Sequence, residues 1–248
     1  MIMEFKHEIL NCSERFSETC RTKPFTIIVY TFNYSNAEDK ALVDKLLIEA
    51  SRLAEKVFPG AANDSTHART RKRIFANCIA GVVSEYCWKH FLNYRREVVR
   101  STPFESASNQ IDLEVIANLK KIEVRSSFPR NGVAFAVCHP LKEFDVLGPY
   151  SNDYKPGEVH KDYFIRTLFP MKDPVEIIDL IKSNSFSLFL TGGATYDMMF
   201  DNRYSKEKDF VPEDNFTIQT KTKYRVVPFH NALDSGEIYR LIQHENEE

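Results

Sequence analysis

The segment from Gln110 to Arg125 constrains the fold most, because polar and apolar residues alternate through it on both sides of a short turn. Side chains alternate between the two faces of a strand, so this pattern is typical of a β-hairpin with one buried face. With Ala117-Asn118 as a two-residue turn, Glu114 lies opposite Lys121. The apolar face then holds Ile111, Leu113, Val115, Ile122 and Val124.

The same register places two acids, Asp112 and Glu123, directly opposite each other on the polar face. Opposed side chains have Cβ atoms about 4.5–5.5 Å apart, so two carboxylates there repel each other. A shared proton, side chains splayed into water or a bound divalent cation would relieve that repulsion. Mg²⁺ is commonly held by one or two carboxylates and several waters. The pattern therefore predicts a metal site, with a solvated charged face as the alternative.

Helical and strand patterns are interleaved along the 248 residues. Lys23 to Tyr34 is β-branched and aromatic, which is typical of a strand, and a helical apolar stripe follows from Asn36. A second helix is predicted from about Thr66 to Asn93. This interleaving predicts an α/β fold in which helices flank a mixed central β-sheet.

Composition and charge limit the function classes. The formal net charge is −2, so binding to nucleic acid would depend on local basic patches. No apolar run approaches the ~20 residues that span a bilayer, and no signal-type segment opens the chain, so we expect a cytoplasmic protein. The five cysteines form no CxxC pair, which favours reduced, buried thiols over a disulfide framework or a zinc site.

Glu85, Asp112 and Glu123 occur in an order that is known from nucleases. The hairpin resembles that of the PD-(D/E)XK nuclease superfamily, which includes many restriction endonucleases. Its members have an Asp at the end of one strand and Glu-x-Lys on the next. Upstream, AGVVSEYCWKHFLN resembles the helix that often precedes this hairpin and contributes a further acid, here Glu85. The resemblance covers roughly residues 76–169. Such a motif match predicts a structural context that the fold has to contain.

The resemblance implies a restriction-endonuclease-like fold and a division of the chain. We expect a single domain over residues 1–248, with a nuclease core over residues 66–230. Residues 1–60 would be an N-terminal strand and helix added to that core. A type II restriction enzyme of this kind would act as a homodimer on a short symmetric site in double-stranded DNA.

Arg125 departs from the family, because it occupies the position of the motif lysine. Arginine stays protonated at accessible pH, so it can hold a phosphate but is a poor general base. Lys121 on the same strand face, or Arg166 in the next predicted strand, could supply the cation instead. The catalytic residues implied by the resemblance are Asp112, Glu123, Arg125, Lys121 and Glu85.

The implied mechanism is metal-assisted hydrolysis of a phosphodiester. The expected ligands of Mg²⁺ are Asp112, Glu123 and the carbonyl of Val124, with Glu85 nearby or in an outer shell. The ion would polarise the phosphate and lower the pKa of a bound water. A neighbouring cation would position that water and offset developing negative charge.

Two basic stretches offer contacts to DNA. The first opens the second predicted helix and comprises Arg69, Arg71, Lys72 and Arg73. Positive charge is unfavourable at that end of a helix dipole, and phosphate would relieve it. The second, Lys221 and Lys223, alternates on one predicted strand face and could follow a phosphate backbone. For both, the alternative is a solvated surface, and for the second an exposed edge strand.

Two other functions stay open at this point. A nuclease-like fold kept for DNA binding alone would fit Arg125 in place of lysine. Alternatively, a small-molecule phosphate enzyme could use Thr191 to Thr195, where Gly192-Gly193 joins a buried strand to a helix start. N–H groups there could hold a phosphate. The full P-loop spacing is absent, so a tight strand-to-helix turn is the simpler interpretation.

Overall fold

A computed structural model describes residues 5–10, 24–57, 69–103, 110–139, 145–151, 159–210 and 219–246. The strands in these ranges are β1 (Phe5–Leu10), β2 (Phe25–Phe32), β3 (Val99–Ser101), β4 (Leu113–Val115), β5 (Lys121–Ser127), β6 (Asp145–Ser151), β7 (Tyr163–Leu168), β8 (Phe186–Thr195), β9 (Lys206–Phe210) and β10 (Gln219–Pro228). The helices are α1 (Ala37–Lys56), α2 (Arg71–Leu92), α3 (Val133–Cys138), α4 (Ile177–Leu180), α5 (Tyr196–Phe200) and α6 (Ser235–His244).

Seven strands form one mixed sheet in the order β1-β2-β8-β7-β5-β4-β3. β5 and β7 are parallel, and every other neighbouring pair in this sheet is antiparallel. A second, antiparallel sheet has the order β6-β10-β9. These sheets, with helices packed on them, confirm the predicted α/β fold with a mixed central sheet.

The long helices α1 and α2 pack on one face of the seven-stranded sheet. Asn36 caps α1 as its sequence suggests, since its side chain accepts hydrogen bonds from two N–H groups of the first turn. The fully buried Trp88 of α2 belongs to the same core as Leu113 and Ile122 of the hairpin. No helix in the described ranges combines the length and the apolar composition needed to cross a membrane.

The opposite face of the sheet is covered by α3, α5 and the second sheet. Phe164 and Leu168 of β7 pack there with Val146 of β6 and Val227 of β10. The apolar face of the hairpin points toward α2, so by strand alternation its polar face points to this second side. The central part of the sheet is therefore enclosed on both faces, which limits access to polar groups within it.

Residues 1–60 contribute directly to the main sheet. β1 pairs with β2, β2 pairs with β8, and α1 packs against α2. The N-terminal strand that we expected as an addition to the core, β2, and the further strand β1 thus extend the same seven-stranded sheet.

Gly192 and Gly193 lie inside β8, and the predicted Gly-Gly turn is wrong. A Cβ on Gly193 would lie 2.2 Å from the carbonyl oxygen of Phe164, and one on Gly192 would lie 2.0 Å from that of Leu233. Gly192 also has φ of +78°, which favours glycine. Because these two glycines have no side chain, the backbones at Phe164 and Leu233 can approach β8 closely. Because the Gly193 N–H already donates to the Leu233 carbonyl (2.9 Å), it offers no phosphate site.

Cysteine chemistry differs in part from the sequence-based expectation. Cys138, the last residue of α3, is disulfide-bonded, where reduced thiols were expected. Cys78 and Cys87 in α2 are free and buried, as expected.

Candidate active site

The hairpin has the register predicted from its alternation. Leu113 lies opposite Ile122, one pair of the predicted set. The two-residue turn at Ala117-Asn118 is wrong, because the Val115 N–H donates to the Lys120 carbonyl (2.8 Å) and closes a four-residue loop. A two-residue and a four-residue loop centred on the same point give the same pairing, so the faces of the hairpin are as predicted.

Asp112 lies immediately before β4, where the pairing of β4 with β5 ends. Its N–H donates to the carbonyl of Ile122 (3.2 Å), and its Oδ2 accepts from the N–H of Val124 (2.7 Å). These two bonds hold Asp112 beside Glu123, as the register predicts. The Asp112 carboxylate thereby accepts a hydrogen bond from a backbone N–H of β5, at a point where β5 extends beyond the shorter β4.

The two opposed acids interact electrostatically. Burial, and then the charge of Glu123, raise the pKa of Asp112 to about 7. The N–H of Val124 and the cations Lys161 and Arg125 act in the opposite direction. Asp112 is therefore only partly ionised near neutral pH.

Glu123 is buried, with 7% of its surface exposed, and contacts two cations. Its Oε1 lies 2.8 Å from Nη2 of Arg125. Its Oε2 contacts the ammonium of Lys161, which is itself only 2% exposed. Lys161 precedes β7, the parallel neighbour of β5. Glu123 thus receives a lysine from the adjacent strand, in addition to the arginine at the motif position.

Sequence reasoning missed Lys161. The only signal was a lysine two residues before a strand in which every residue proves to be buried. A lysine at the entrance to such a strand needs a partner, because burying an unpaired charge is costly. Since β7 is a non-local neighbour of β5, the sequence did not reveal that partner.

Glu85 lies on α2 beside Asp112, on the helix-covered side of the sheet. Its pKa is raised to about 8 by burial and then by the charge of Asp112, while a hydrogen bond with Ser101 lowers it. Within the described ranges, no group of three or more Asp, Glu, His or Cys side chains can hold a metal ion. The structure therefore brings Asp112 and Glu123 together and leaves Glu85 adjacent, outside a shared ligand group.

A cavity of about 540 Å³ opens beside Glu85. It lies between α1 and α2 and is lined by Lys45, Tyr86, His90 and Ser101, among others. Glu85 thus interacts electrostatically with Asp112 and borders an open space between the helices.

Arg125 and Arg166 are opposite each other on the parallel strands β5 and β7. Arg166 is buried, and its Nη2 donates to the hydroxyl of Ser127. Burial and the neighbouring Arg125 lower the pKa of Arg166 to about 9, and Asp145 opposes this shift. Two adjacent guanidinium groups next to carboxylates are suited to a phosphate, which arginine binds with paired donors.

Among the described residues, the ammonium of Lys121 does not contact Glu123. Its N–H donates to the Oδ2 of Asp162 (2.8 Å), and its carbonyl accepts from the Asp162 N–H (2.8 Å). Glu114, the expected cross-strand partner of Lys121, is hydrogen-bonded to Nε of Arg100 instead (3.0 Å). The cation that Lys121 was expected to supply comes from Lys161.

The basic run at the start of α2 is distant from the acid pair. Arg73 pairs with Asp173 (2.8 Å), and Arg71 reaches the carbonyl of Ala54 (3.4 Å). Arg71 begins the helix and Glu85 lies in its second half, separated from Arg71 by roughly 20 Å of helix rise. Lys72 is exposed and Arg69 is half-buried. This run can contact DNA only at some distance from the hairpin.

The second basic stretch lies on β10, which is the middle strand of its sheet. The alternative interpretation as an exposed edge strand is therefore wrong. Lys223 is exposed, whereas the side chain of Lys221 lies outside the described residues. Arg225, two residues further, donates to the carbonyl of Met199 (2.9 Å).

Comparisons with known proteins provide little functional information. No family model matches the chain, and no solved structure matches it. An uncharacterized protein from Methanocaldococcus jannaschii is 28% identical over 134 residues, which cover 49% of this chain and 47% of the relative. The match thus spans about half the length of that relative. Function has to be argued from the geometry of the site.

Proposed function

We propose that this protein is a Mg²⁺-dependent endonuclease of the PD-(D/E)XK type that hydrolyses phosphodiester bonds in double-stranded DNA. One observation carries the proposal: Asp112 accepts from the N–H of Val124 and interacts electrostatically with Glu123, and the ammonium of Lys161 contacts the Glu123 carboxylate. Two acids from a hairpin and a lysine beside the second acid are the groups that the family motif requires. The lysine comes from a neighbouring strand.

The donor set fits Mg²⁺. Asp112 and Glu123 offer carboxylate oxygens, the Val124 carbonyl is the backbone candidate, and magnesium needs only one or two carboxylates because it keeps several waters. The repulsion that raises the pKa of Asp112 would be relieved by a divalent cation between the acids. When bound, Mg²⁺ would polarise the scissile phosphate and make a bound water more acidic.

Lys161 would fill the role of the motif lysine. Its ammonium is held at Glu123 Oε2 in a buried position, where it can orient the attacking water. Lysine is a compact point charge with three rotatable donors, whereas the guanidinium of Arg125 is a rigid planar fork and a poor general base. The two arginines would hold the phosphate oxygens and offset the charge that develops on them.

Plasmid cleavage tests the proposal directly. We expect discrete, metal-dependent products from supercoiled DNA with Mg²⁺ and none with EDTA. Asp112→Ala should abolish cleavage and Lys161→Met should slow it strongly, while the matched control Lys121→Met should retain it. Absence of cleavage by the folded wild-type protein with both Mg²⁺ and Mn²⁺ on varied DNA would refute the proposal.

A non-catalytic, DNA-binding role is the second candidate. It is favoured by the double contact of Glu123 with Arg125 and Lys161, which compensates its charge without a metal ion. Retardation of DNA without cleavage under every metal tested would support this role. Absence of DNA binding at low salt would exclude both candidates, since contacts to phosphate are strongest there.

We further propose that the protein acts on duplex DNA as a homodimer, with its basic run contacting phosphates. Arg71 and Lys72 are exposed at the start of α2. Replacing both with alanine should weaken duplex binding. It should also lower the dependence of the binding constant on salt concentration by the amount expected for about two lost phosphate contacts. Sedimentation with a short symmetric duplex should show two protein chains per duplex, whereas a single chain would contradict the dimer.

A further inference from the structure

The strand β1 forms one edge of the seven-stranded sheet. On its inner side β1 pairs with β2, from Phe5 opposite Tyr30 to Leu10 opposite Phe25. Among the described residues, no strand pairs with its outer side. The backbone N–H and C=O groups of an unpaired edge strand are a template for a further strand. The outer edge of β1 can therefore accept an extended segment.

Strongly exposed apolar side chains flank this edge. Of the large apolar side chains in the described ranges, Tyr94 and Ile9 are the most exposed, at 63% and 61%. The ring centroid of Tyr94 is 5.0 Å from that of Phe5, at the other end of β1 from Ile9. Phe5 and His7 also contact Phe91 of α2, so the odd-numbered side chains of β1 share the face on which α2 packs. Burial of the exposed side chains on this face would favour association.

The charges of β1 are arranged symmetrically about its centre. Lys6 and Glu8 are both exposed, and by strand alternation both point to the face opposite α2. No ion pair within the described part of the chain involves either of them. From Phe5 to Ile9 the strand thus reads apolar, positive, His7, negative, apolar. A strand with this order is complementary to an antiparallel copy of itself, because each cation then meets an anion.

Charge and face together select one antiparallel register for two copies of β1. With His7 opposite the partner's His7, Lys6 lies opposite the partner's Glu8, and Ile9 lies opposite the partner's Phe5. A shift of two residues in one direction opposes Lys6 with itself, and a shift in the other direction opposes Glu8 with itself, which is unfavourable. A shift of one residue exchanges the faces of the strand. The selected register contains every contact twice, as a two-fold axis requires.

We propose that two copies of this chain associate through their β1 strands, which pair antiparallel about a two-fold axis at His7. The two seven-stranded sheets then continue into one another. Each Ile9 covers the partner's Phe5 beside the partner's Tyr94, so the exposed apolar side chains at this edge become buried. The inference goes beyond the proposed nuclease function and does not rest on it, because strand pairing needs neither DNA nor metal.

Charge exchange within β1 tests this pairing. Sedimentation velocity of the full-length protein at low salt, in EDTA and without DNA, should show a concentration-dependent dimer. Lys6→Glu and Glu8→Lys each turn two attractive cross-strand pairs into two repulsive ones, so each should raise the dimer dissociation constant by about 4-fold or more.

An equimolar mixture of these two variants should form a heterodimer, because a strand with two acids then faces a strand with two lysines. The double variant Lys6→Glu/Glu8→Lys should dimerise like the wild type. Lys172→Glu is the matched control, because Lys172 is an exposed lysine outside β1 and its reversal changes the net charge by the same amount as Lys6→Glu. Its dimer should equal that of the wild type.

The outcomes separate this interface from the nuclease. A wild type that stays monomeric at about 0.1 mM, or single variants that dimerise as well as the wild type, would overturn the inference. Weakened single variants that do not recover in the mixture would also overturn it. A β1-dependent dimer of a protein that cleaves no DNA would support the interface and refute the nuclease proposal. Metal-dependent cleavage by a protein without this dimer would refute the interface alone. Unfolding midpoints verify that all variants are folded.

Discussion

Asp112→Asn separates the charge of this acid from its hydrogen bond. Asparagine keeps an oxygen that can accept from the Val124 N–H, but it carries no negative charge beside Glu123. In the folded protein the pKa of Asp112 is about 7, against an ordinary value of 3.8, because of burial and then Glu123. Folding therefore opposes ionisation of this carboxyl, and the substitution removes that opposition.

The sign and size of the effect follow from linkage. A raised native pKa contributes stability that is full below pH 3.8 and is lost as the pH rises through about 7. Each unit of pKa difference corresponds to about 1.4 kcal/mol, so ionisation costs up to about 4 kcal/mol at pH 8. The attraction of the carboxylate to Lys161 and Arg125 is already included in this net shift. We therefore expect Asp112→Asn to be roughly 2–4 kcal/mol more stable than wild type at pH 8.

Urea unfolding at pH 8 and pH 4, with and without Mg²⁺, measures this difference. At pH 4 the two proteins should be nearly equal, because Asp112 is then protonated. At pH 8, Mg²⁺ at 100 times its dissociation constant should stabilise the wild type by about 2.7 kcal/mol. Mg²⁺ should stabilise the Asp112→Asn variant much less than the wild type. The advantage of Asp112→Asn therefore narrows or reverses when the metal is added.

Glu114→Gln is the control, since Glu114 is on the same hairpin and pairs with Arg100 away from Glu123. It should keep the wild-type response to Mg²⁺. Equal stability of Asp112→Asn and wild type at pH 8 would refute the idea of a buried, repelled carboxyl. An undiminished Mg²⁺ response in Asp112→Asn would refute the metal site at Asp112.

Four further predictions concern the site and its support. Lys161→Met should lower the initial cleavage rate by about 10²–10⁴-fold, the range for lost proton-transfer groups, while Lys121→Met should stay near wild type. Gly193→Ala should lower the unfolding free energy in urea by more than about 3 kcal/mol, since its Cβ would lie 2.2 Å from a β7 carbonyl oxygen. Gly81→Ala, with nothing within 4 Å, should raise it by about 0.5–1 kcal/mol. At Mg²⁺ concentrations well below the dissociation constant, cleavage rates should rise from pH 6 to pH 8 as Asp112 ionises, and a flat profile there would contradict its role as a ligand.

The hairpin was predictable because its information is local. Alternation fixed which residues share a face, and this determined that Asp112 lies beside Glu123. The loop was mispredicted, because the pairing is the same whether two or four residues connect the strands. Nothing in the alternation discriminates between those lengths.

Lys161 and the glycines of β8 depend on neighbours that are distant in the chain. Lys161 reaches Glu123 only because β7 follows β5 as a parallel neighbour, and such crossovers are invisible to local patterns. Gly192-Gly193 has the composition of a turn, yet the pair admits the backbones of Phe164 and Leu233. In both cases the residue type suggested a special role, while the partner that explains it came from the tertiary fold.

The brevity of β4 has a consequence for how the site could change over time. β4 has three residues and β5 has seven, and no described strand pairs with residues 124–127 of β5 on the β4 side. In the proposed nuclease, this gap would leave the second half of β5 accessible to a phosphate from the β4 side. Extending β4 by two residues would add backbone hydrogen bonds and close the gap. Selection for stability would then favour a longer β4, and selection for access to the site would favour a shorter one. The length of β4 would depend on which of the two is stronger.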